Sequence, residues 1–326
     1  MGMRDLTKRD SKRDFRRSLL AWYDAHRREL PWRESSDSYR VWLSEIMLQQ
    51  TRVAAVISHY REFLRRFPTV EKLARARETS VLTAWSGLGY YRRARMLHAA
   101  AKVVVRDHRG KFPSTSEGLR SLPGIGRYTA AAIASIAFGE PVAVVDGNVE
   151  RVLQRASGKL LSREKLWASA NDLLDRNRPG DFNQAMMELG AIVCTPRAPA
   201  CLTCPVVGHC ATRGELNGIA KAEPQKKREI HYALDYRGGK VFLVQRERSV
   251  SLMPGMWELP ELVGANGDHT PLFTLRHAIT VTNYTVKIQR VAAPHGVRGK
   301  WVAAERLARL PLTGLARKIL RKADLL

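Results

Sequence analysis

The sequence has few of the features that place a protein in a membrane or in an oxidising compartment. No apolar run in its 326 residues approaches the ~20 that a membrane-spanning helix needs. Only four cysteines occur, all between positions 194 and 210, so a disulfide framework is not expected. The N-terminal segment MGMRDLTKRDSKRDFRRS lacks the apolar core of a secretory signal peptide. Its aspartates argue against a mitochondrial transit peptide. We therefore expect a cytoplasmic protein without a membrane segment.

Acidic residues are also few, because 31 of them face 55 lysines and arginines and leave a net charge of +24. A surplus of this size favours a polyanionic partner, since neutralising phosphates releases counterions and drives binding. A basic surface tuned for solubility is the alternative. The charge therefore indicates a nucleic acid without establishing one.

The pattern of the chain changes near its last third. Most of the first 220 residues have helical periodicity, and the segment TRGELNGIAKAEPQKKRE at 212–229 is polar and contains Gly and Pro. We predict a mainly α domain over 1–220, a linker over 221–229 and a second domain over 230–326. The linker is thus expected to join two independently packed parts.

The predicted second domain contains β-type patterns. The runs His231–Tyr236 and Lys240–Gln245 flank Arg237-Gly238-Gly239, which is typical of a hairpin. Further strands are expected at Trp257 and over 280–291, and a helix is predicted from Pro311 to Lys322. An α+β fold follows from this mixture.

The stretch Leu122–Val152 combines a turn, an Ala-rich helix and one carboxylate. Gly124 and Gly126 lack the Cβ atoms that block close approach of a phosphate to the backbone at a helix N-terminus. Asp146 follows about twenty residues later, after an apolar segment. Taken separately, such a turn is common and Asp146 can be an ordinary helix cap. Capping and catalysis are compatible, because both need a fixed, ionised carboxylate.

A second informative stretch, YRVWLSEIMLQQT at 39–51, places Glu45 among apolar residues. Burial there raises the pKa of a carboxyl group and suits it to donate a proton near neutral pH. Helical geometry alone equally allows Glu45 on a solvated face. Gln49, Gln50 and Thr51 offer donors and acceptors that can contact bases, or they are ordinary surface residues.

Two other segments carry candidate functions. In the Gly-rich aromatic turn from Trp85 to Tyr91, Leu88 and Tyr90 can wedge into a base stack, or cap the core between two helices. The cysteines are separated by six, two and five residues, in the order Cys194, Cys201, Cys204 and Cys210. This spacing favours an iron–sulfur cluster over a four-cysteine zinc site, which more often has two Cys-x-x-Cys pairs.

Six segments together resemble, in order and wording, the motifs of the MutY-type adenine DNA glycosylases, a family of the helix-hairpin-helix (endonuclease III) superfamily. They are LPWR, VWLSEIMLQQT, GLGYYRRAR, LPGIGRYTAAAIAS, VDGNVERV and FNQAMMELGAIVC. The resemblance implies a helix-hairpin-helix glycosylase domain with a [4Fe-4S] loop, followed by a Nudix-like α+β domain. It also implies excision of adenine opposite 8-oxoguanine or guanine in double-stranded DNA. The sequence carries no signal for oligomerisation, so a monomer is the default expectation, and the expected location is the cytoplasm, in association with the bacterial nucleoid.

The same resemblance implies roles for single residues. Glu45 protonates the leaving adenine, ionised Asp146 stabilises the oxocarbenium-like sugar, and Tyr128 and Asn148 position these groups. In endonuclease III a lysine corresponds to Tyr128 and cuts the strand, so a monofunctional glycosylase is expected here. Cys194, Cys201, Cys204 and Cys210 are the expected cluster ligands.

Eleven residues are expected to contact DNA: Arg33, Gln49, Gln50, Thr51, Leu88, Tyr90, Gly124, Gly126, Arg127, His277 and Thr280. The C-terminal domain departs from the family pattern, because Ile279-Thr280-Val281 stands where many members have Phe-Ser-His. It also lacks a Glu-rich Nudix box, so nucleotide hydrolysis is not expected. Discrimination between 8-oxoguanine and guanine is left open.

Two alternative functions remain at this point. One is an endonuclease III-like glycosylase for oxidised pyrimidines, which Tyr128 and the additional C-terminal domain oppose. The other is a non-catalytic DNA-binding protein that senses redox state through its cluster, which requires Glu45 or Asp146 to be idle.

Overall fold

The computed structural model describes residues 8–216, 226–263, 270–279 and 282–326. Thr280 and Val281 lie outside these ranges, as does most of the predicted linker. The chain forms two compact units. The first unit comprises Met1–Tyr60, Thr69–Glu71 and Ala99–Lys221, and the second comprises Arg61–Pro68, Lys72–His98 and Ala222–Leu326.

The chain is helical up to the cysteine-rich segment. The helices are α1 (Arg9–His26), α2 (Ser38–Leu48), α3 (Val53–Arg66), α4 (Val70–Arg75), α5 (Glu78–Trp85), α6 (Arg92–His108), α7 (Ser116–Leu119), α8 (Arg127–Phe138), α9 (Gly147–Ser157), α10 (Arg163–Leu173) and α11 (Pro179–Ile192). Short 3-10 helices lie at Pro31–Arg33, Cys201–Thr203 and Val207–His209. The mainly α character predicted from the sequence is confirmed.

Local sequence explains where several of these helices begin and end. The side chains of Asp37, Asp146 and Ser162 accept backbone N–H bonds at the first turns of α2, α9 and α10. Gly139 and Gly158 end α8 and α9 in the left-handed conformation, with φ of 70° and 69°. The start of α9, which carries Asp146, is therefore fixed by its own cap.

The core of the first unit is built around closely packed helices. Phe15, Leu19 and Tyr23 of α1 are fully buried against the Ala-rich face of α8 and against α9, α10 and α11. Two glycines of α11 allow its close approach. A Cβ at Gly180 would lie 2.7 Å from the Ser135 carbonyl oxygen, and one at Gly190 would lie 2.6 Å from the Asn148 Cβ. Helix α11 thus packs directly beneath the start of α9.

From residue 226 onwards, the described residues of the second unit form seven strands and a terminal helix. They are β1 (Lys226–Ala233), β2 (Tyr236–Arg237), β3 (Lys240–Gln245), β4 (Trp257–Glu258), β5 (Phe273–Ile279), β6 (Thr282–Gln289), β7 (Gly299–Ala303) and α12 (Gly314–Lys322), with a 3-10 helix at Ala304–Arg309. One sheet has the order β1-β6-β5, with β1 parallel and β5 antiparallel to β6. In the other, β3 pairs antiparallel with β2, β4 and β7.

The predicted α+β fold of this part is confirmed, and so is the turn of the hairpin. The predicted first strand, His231–Tyr236, is divided, because 231–233 belong to β1 and pair with β6, and only Tyr236–Arg237 pair with β3. Gly238 and Gly239 turn between β2 and β3 with φ of 51° and 72°. Two further details differ from the prediction. The helix begins at Gly314 rather than at Pro311, because Thr313 caps it through the amide of Ala316. Residues 226–229, expected in the linker, pair with β6 as the start of β1.

The second unit also includes 72–98, which come before the Leu122–Gly126 turn in the chain. The domain limits predicted from the sequence follow chain order and stay a prediction. Within the described residues, no helix combines the length and the apolar character needed to span a bilayer.

Candidate active site

A cavity of about 400 Å³ opens in the first unit. Its walls come from the 3-10 helix at Pro31–Arg33, the end of α2, and helices α8, α9 and α11. All four residues predicted to be catalytic line it: Glu45, Tyr128, Asp146 and Asn148. The fold therefore brings together a set that spans about a hundred positions of the sequence.

Glu45 lies on the buried side of α2, with 7% of its surface exposed, which excludes the solvated-face alternative. Burial raises the pKa of its carboxyl group to about 7, and the negative charge of Asp146 contributes in the same direction. The hydrogen bond from Tyr128 and the charge of Arg33 act against this rise. Glu45 thus carries a proton in a large fraction of molecules at neutral pH.

Tyr128 holds this carboxyl group in place. Its hydroxyl donates a 3.0 Å hydrogen bond to Oε2 of Glu45 and lies 3.1 Å from Sδ of Met187. Burial, together with the negative charges of Glu45 and Asp146, raises the pKa of Tyr128 well above its usual range. The phenol therefore stays protonated and acts as a donor.

Asp146 both caps α9 and lines the cavity. Its Oδ1 accepts hydrogen bonds from the backbone amides of Asn148 and Val149 at 2.9 and 2.8 Å. Its Oδ2 accepts one from Nδ2 of Asn148 at 2.9 Å. These three donors, at the positive end of a helix, stabilise a negative charge facing the cavity.

The segment that leads to Asp146 is held by Asn183, which the sequence analysis did not single out. Asn183 is 2% exposed and donates to the carbonyl of Val142 and the hydroxyl of Ser135. Its Oδ1 accepts from the amide of Val144. A single buried side chain thus replaces strand pairing for this extended segment.

One wall of the cavity is a buried ion-pair network centred on Glu188, which was also missed. Arg28 and Arg33 donate to its carboxylate at 2.7 and 2.9 Å, and Arg33 also reaches Gln184. Burial alone would raise the pKa of Glu188, but the bonds from the two arginines outweigh it and lower that pKa to about 2. Arg33, predicted to contact DNA, therefore lies inside the cavity.

The end of α2 supplies three further predicted residues, Gln49, Gln50 and Thr51, which all line the cavity. The Gln49 amide donates to the hydroxyl of Thr129 at 3.1 Å. Gln50 adopts a left-handed backbone conformation with φ of 55° and is exposed. Its amide is thus available at the cavity entrance.

The predicted phosphate-binding turn, Leu122–Gly126, lies directly before α8. Leu122 and Ile125 are buried and anchor it, while Gly124 is exposed with φ of 76°. Gly126 precedes α8 without a side-chain cap, and no atom lies within 4 Å of where its Cβ would be. The backbone at Gly126 is thus open to close approach of a ligand, as a phosphate site requires. Arg127 beside them stacks on Trp167, with its guanidinium 3.8 Å from the ring centroid.

Comparison with known proteins agrees with this geometry. Residues 43–165 match the model of the HhH-GPD superfamily of base excision DNA repair proteins. A solved thermostable thymine-DNA glycosylase is 30% identical, with a TM-score of 0.59, and the match covers 63% of this chain and 97% of that one. The chain belongs to the HhH-GPD superfamily. A trapped endonuclease III–DNA intermediate, 20% identical with a TM-score of 0.56, shares the fold over 63% of this chain and 97% of that one.

Two curated adenine DNA glycosylases are also similar to this chain. The adenine DNA glycosylase of Homo sapiens is 51% identical over 215 residues, which are 61% of this chain and 39% of that protein. That of Arabidopsis thaliana is 39% identical over 328 residues, or 85% of this chain and 51% of that protein. The chain thus spans about half or less of the length of these relatives. The family expected from the motifs is confirmed.

In this HhH-GPD protein the four cysteines all line one small cavity. No three Cys, His, Asp or Glu side chains among the described residues are arranged to hold a single metal ion. Four cysteine sulfurs are the donor set that a [4Fe-4S] cluster needs, one for each iron. N–H groups also point at two of the sulfurs: Arg155 donates to Cys194 Sγ and the Arg213 amide to Cys210 Sγ, both at 3.4 Å.

Arg151 connects the cysteine loop to the cavity. Its Nε donates to the carbonyl of Cys194 at 2.8 Å, and its Nη2 donates to the Asn148 side chain and the Gly190 carbonyl at 2.7 and 2.8 Å. Asn148 in turn donates to Asp146. A continuous chain of hydrogen bonds therefore runs from the first cysteine to the carboxylate.

The remaining predicted residues lie in the second unit. Leu88 is buried, with 6% of its surface exposed, whereas Tyr90 is 46% exposed. Of these two side chains, only that of Tyr90 is accessible to a ligand. His277 is half-buried on β5, and burial, aided by the charge of Lys318, lowers its pKa. Thr280 lies outside the described residues.

Proposed function

We propose that this protein is a monofunctional adenine DNA glycosylase that removes adenine mispaired with 8-oxoguanine or guanine in duplex DNA and leaves an abasic site. The observation that carries the proposal is the pair of carboxyl groups in one cavity. Glu45 has a pKa of about 7 and Asp146 is held by three N–H donors. One proton donor and one anion are what cleavage of a glycosidic bond requires.

The reaction begins with extrusion of the adenine, because the bond is not accessible within a stacked duplex. In the cavity, Glu45 protonates the five-ring of adenine and makes it a better leaving group. Asp146 stabilises the positive charge that develops on the sugar. The bond between the sugar carbon and the adenine nitrogen breaks, and adenine leaves with the proton from Glu45. Water then adds to the sugar carbon and loses a proton, which leaves the abasic site and restores the protonated Glu45. Tyr128 offers no amine for a Schiff base, so the strand remains uncut.

The network around Glu188 supports adenine as the base that is bound. Its carboxylate, the guanidinium of Arg33 and the amide of Gln184 form a polar wall on the same cavity. Adenine presents both donors and acceptors on its edges, and this wall offers both kinds of partner. A buried polar wall also penalises a base that leaves it unpaired.

Several features support duplex DNA as the substrate. Gly124, Gly126 and Arg127 offer backbone amides and a cation to a phosphate, and the chain carries a net charge of +24. Gln49, Gln50 and Thr51 line the cavity and offer polar contacts for the vacated position in the duplex. Tyr90 supplies an exposed ring for the base stack.

Cys194, Cys201, Cys204 and Cys210 are proposed to hold a [4Fe-4S] cluster. When bound, such a cluster cross-links the loop and can exchange one electron. Arg155 and the Arg213 amide would then donate hydrogen bonds to its cysteine sulfurs, and Arg151 fixes the loop against α9 and α11.

The C-terminal part is proposed to be Nudix-like and to read the base opposite the adenine, with His277 and Thr280 as contacts. His277 is half-buried on β5, and the lowered pKa favours its neutral form, which can both donate and accept. A monomeric state and a cytoplasmic location stay predictions.

Single-turnover release of adenine tests the proposal. Duplexes with 8-oxoguanine:adenine and guanine:adenine pairs are compared for the wild type, for Glu45→Gln and for Glu164→Gln on the exposed side of α10. We expect rapid release by the wild type and the control, and a loss of at least ~100-fold in Glu45→Gln. Absence of release from either duplex by the wild type would overturn the proposal and favour a non-catalytic DNA-binding protein.

A further inference from the structure

The turn that carries Tyr90 is bound to the C-terminal segment of the chain by two buried hydroxyl groups. Ser86 Oγ and the Tyr91 hydroxyl both donate to the carbonyl oxygen of Leu312, at 2.8 and 3.0 Å. Ser86 is 5% exposed and Tyr91 is 2% exposed. One acceptor thus holds both ends of the turn Gly87–Tyr90.

The acceptor itself is rigidly placed. Trp257 of β4 donates its amide to the carbonyl of Pro311 and accepts a bond from the amide of Thr313, both at 2.9 Å. Leu312 is completely buried between these two bonds. The two bonds to Trp257 therefore fix the orientation of the Leu312 carbonyl relative to β4.

Helix α12 continues this connection towards β5. Arg317 on α12 donates from Nε to Ser86 Oγ at 2.9 Å. The next residue, Lys318, donates to the carbonyl of Arg276 at 2.7 Å, beside His277. One helix turn thus contacts both the base of the aromatic turn and the strand that carries His277.

Arg93 also contacts the turn and the ring of Tyr90. Gly87, Gly89 and Tyr90 all have positive φ, of 110°, 71° and 47°. The Arg93 guanidinium lies 5.5 Å from the ring centroids of both Trp85 and Tyr90 and donates to the carbonyl of Gly89. Arg93 thus holds the turn on one side, and Ser86 and Tyr91 hold its two ends.

We propose that Ser86, Tyr91 and Arg317 are positioning residues that fix the Tyr90 ring relative to β5. Opening of the duplex by Tyr90 and recognition of the opposite base near His277 then occur as one coupled step. This inference rests on the proposed function. It assigns part of the selectivity for the opposite base to residues that do not touch that base.

Ser86→Ala and Tyr91→Phe each remove one hydroxyl and keep the packing. The matched control is Tyr60→Phe, which removes a buried tyrosine hydroxyl bonded to the carbonyl of Arg40 elsewhere. The first measurement is fluorescence of 2-aminopurine placed opposite 8-oxoguanine, which increases when the base leaves the stack. We expect the extruded fraction to fall several-fold in both variants and to be unchanged in the control.

The second measurement is single-turnover adenine release opposite 8-oxoguanine, guanine and an abasic analogue. We expect the rate opposite 8-oxoguanine to fall about tenfold, as for loss of one buried hydrogen bond, and the rate opposite the abasic analogue to be retained. Equal losses on all three duplexes, or unchanged fluorescence in both variants, would overturn the inference. The fluorescence needs no catalysis, so it still decides the matter if the wild type releases no adenine.

Discussion

The hydroxyl of Tyr128 donates its hydrogen bond to the carboxyl group of Glu45, the group that is otherwise deprived of solvent. The bond opposes the effect of burial, because it stabilises the ionised form. Without it the pKa of Glu45 would lie higher than about 7. Tyr128 thus sets the pH range over which the proton is available.

Tyr128→Phe is expected to shift the pH dependence of the single-turnover rate. The reaction needs protonated Glu45, so the wild-type rate is highest below pH 7 and falls as pH rises through that value. In the variant the pKa of Glu45 rises, so the falling limb moves to higher pH. A limb that stays in place or moves to lower pH would contradict the assignment of Glu45 as the proton donor. Tyr60→Phe is the control and should leave the profile unchanged.

Asp146→Asn and Asp146→Ala separate the two roles of this carboxylate. Asparagine still caps a helix, so Asp146→Asn should unfold near the wild-type temperature, whereas Asp146→Ala should lose about 1 kcal/mol of stability. Both should release adenine at least ~100-fold more slowly, because the negative charge is gone. Thermal unfolding and single-turnover kinetics of the same preparations measure the two effects. Near-normal rates in Asp146→Asn would mean that Asp146 caps α9 but has no catalytic role.

Arg151→Gln is expected to weaken the link between the cysteine loop and the cavity. It removes the donors to Cys194, Asn148 and Gly190, and each lost bond costs about 1 kcal/mol. We expect a rate decrease of about tenfold or more and earlier thermal unfolding. Iron and sulfide content, with Arg176→Gln on an exposed position as control, shows whether any cluster is retained. Wild-type rates and stability in Arg151→Gln would mean that this link contributes neither to adenine release nor to folding stability.

Trp167→Phe and Arg127→Gln test whether Trp167 orients a phosphate-binding arginine. Each should weaken duplex binding by several-fold, since a cation–π pair is worth about 0.5–2 kcal/mol. Arg127→Gln should also make the slope of log affinity against log salt about one unit shallower. In the double variant the losses should be less than additive, because both act on one contact. Binding is measured by fluorescence anisotropy titration. Fully additive losses of affinity would mean that Trp167 and Arg127 act independently and that Trp167 does not orient the arginine.

Gly190→Ala is expected to disturb the cavity through packing alone. The added Cβ would lie 2.6 Å from the Asn148 Cβ and 2.9 Å from its carbonyl oxygen. We expect a loss of 1–3 kcal/mol in the free energy of unfolding, about that of overpacking, and slower adenine release. Gly180→Ala makes a comparable clash with Ser135 in the same helix, away from Asn148. Equal activity losses in folded Gly180→Ala and Gly190→Ala would argue against a specific effect on Asn148.

The sequence predicted those parts of the molecule that depend on local pattern. Helical periodicity, the hairpin at Gly238-Gly239 and the association of Glu45 with apolar residues are all readable along short stretches. The carboxyl pair followed from a family resemblance, because spacing alone does not bring residues 45 and 146 together. Arg28 and Glu188 escaped notice, since the two are 160 positions apart and charged residues usually lie on the surface. Leu88 shows the opposite case, a wedge candidate that the fold buries.

The assignment of Lys72–His98 to the second unit affects how the protein can be divided in the laboratory. A fragment that stops at the predicted linker would lack the carbonyl of Leu312 and leave the hydroxyls of Ser86 and Tyr91 without this acceptor. Such a truncation would remove the proposed reader of the opposite base and also loosen the turn that carries Tyr90. Activity lost on truncation would then report two defects together. Substitutions in the full-length chain are the cleaner way to assign tasks to its two ends.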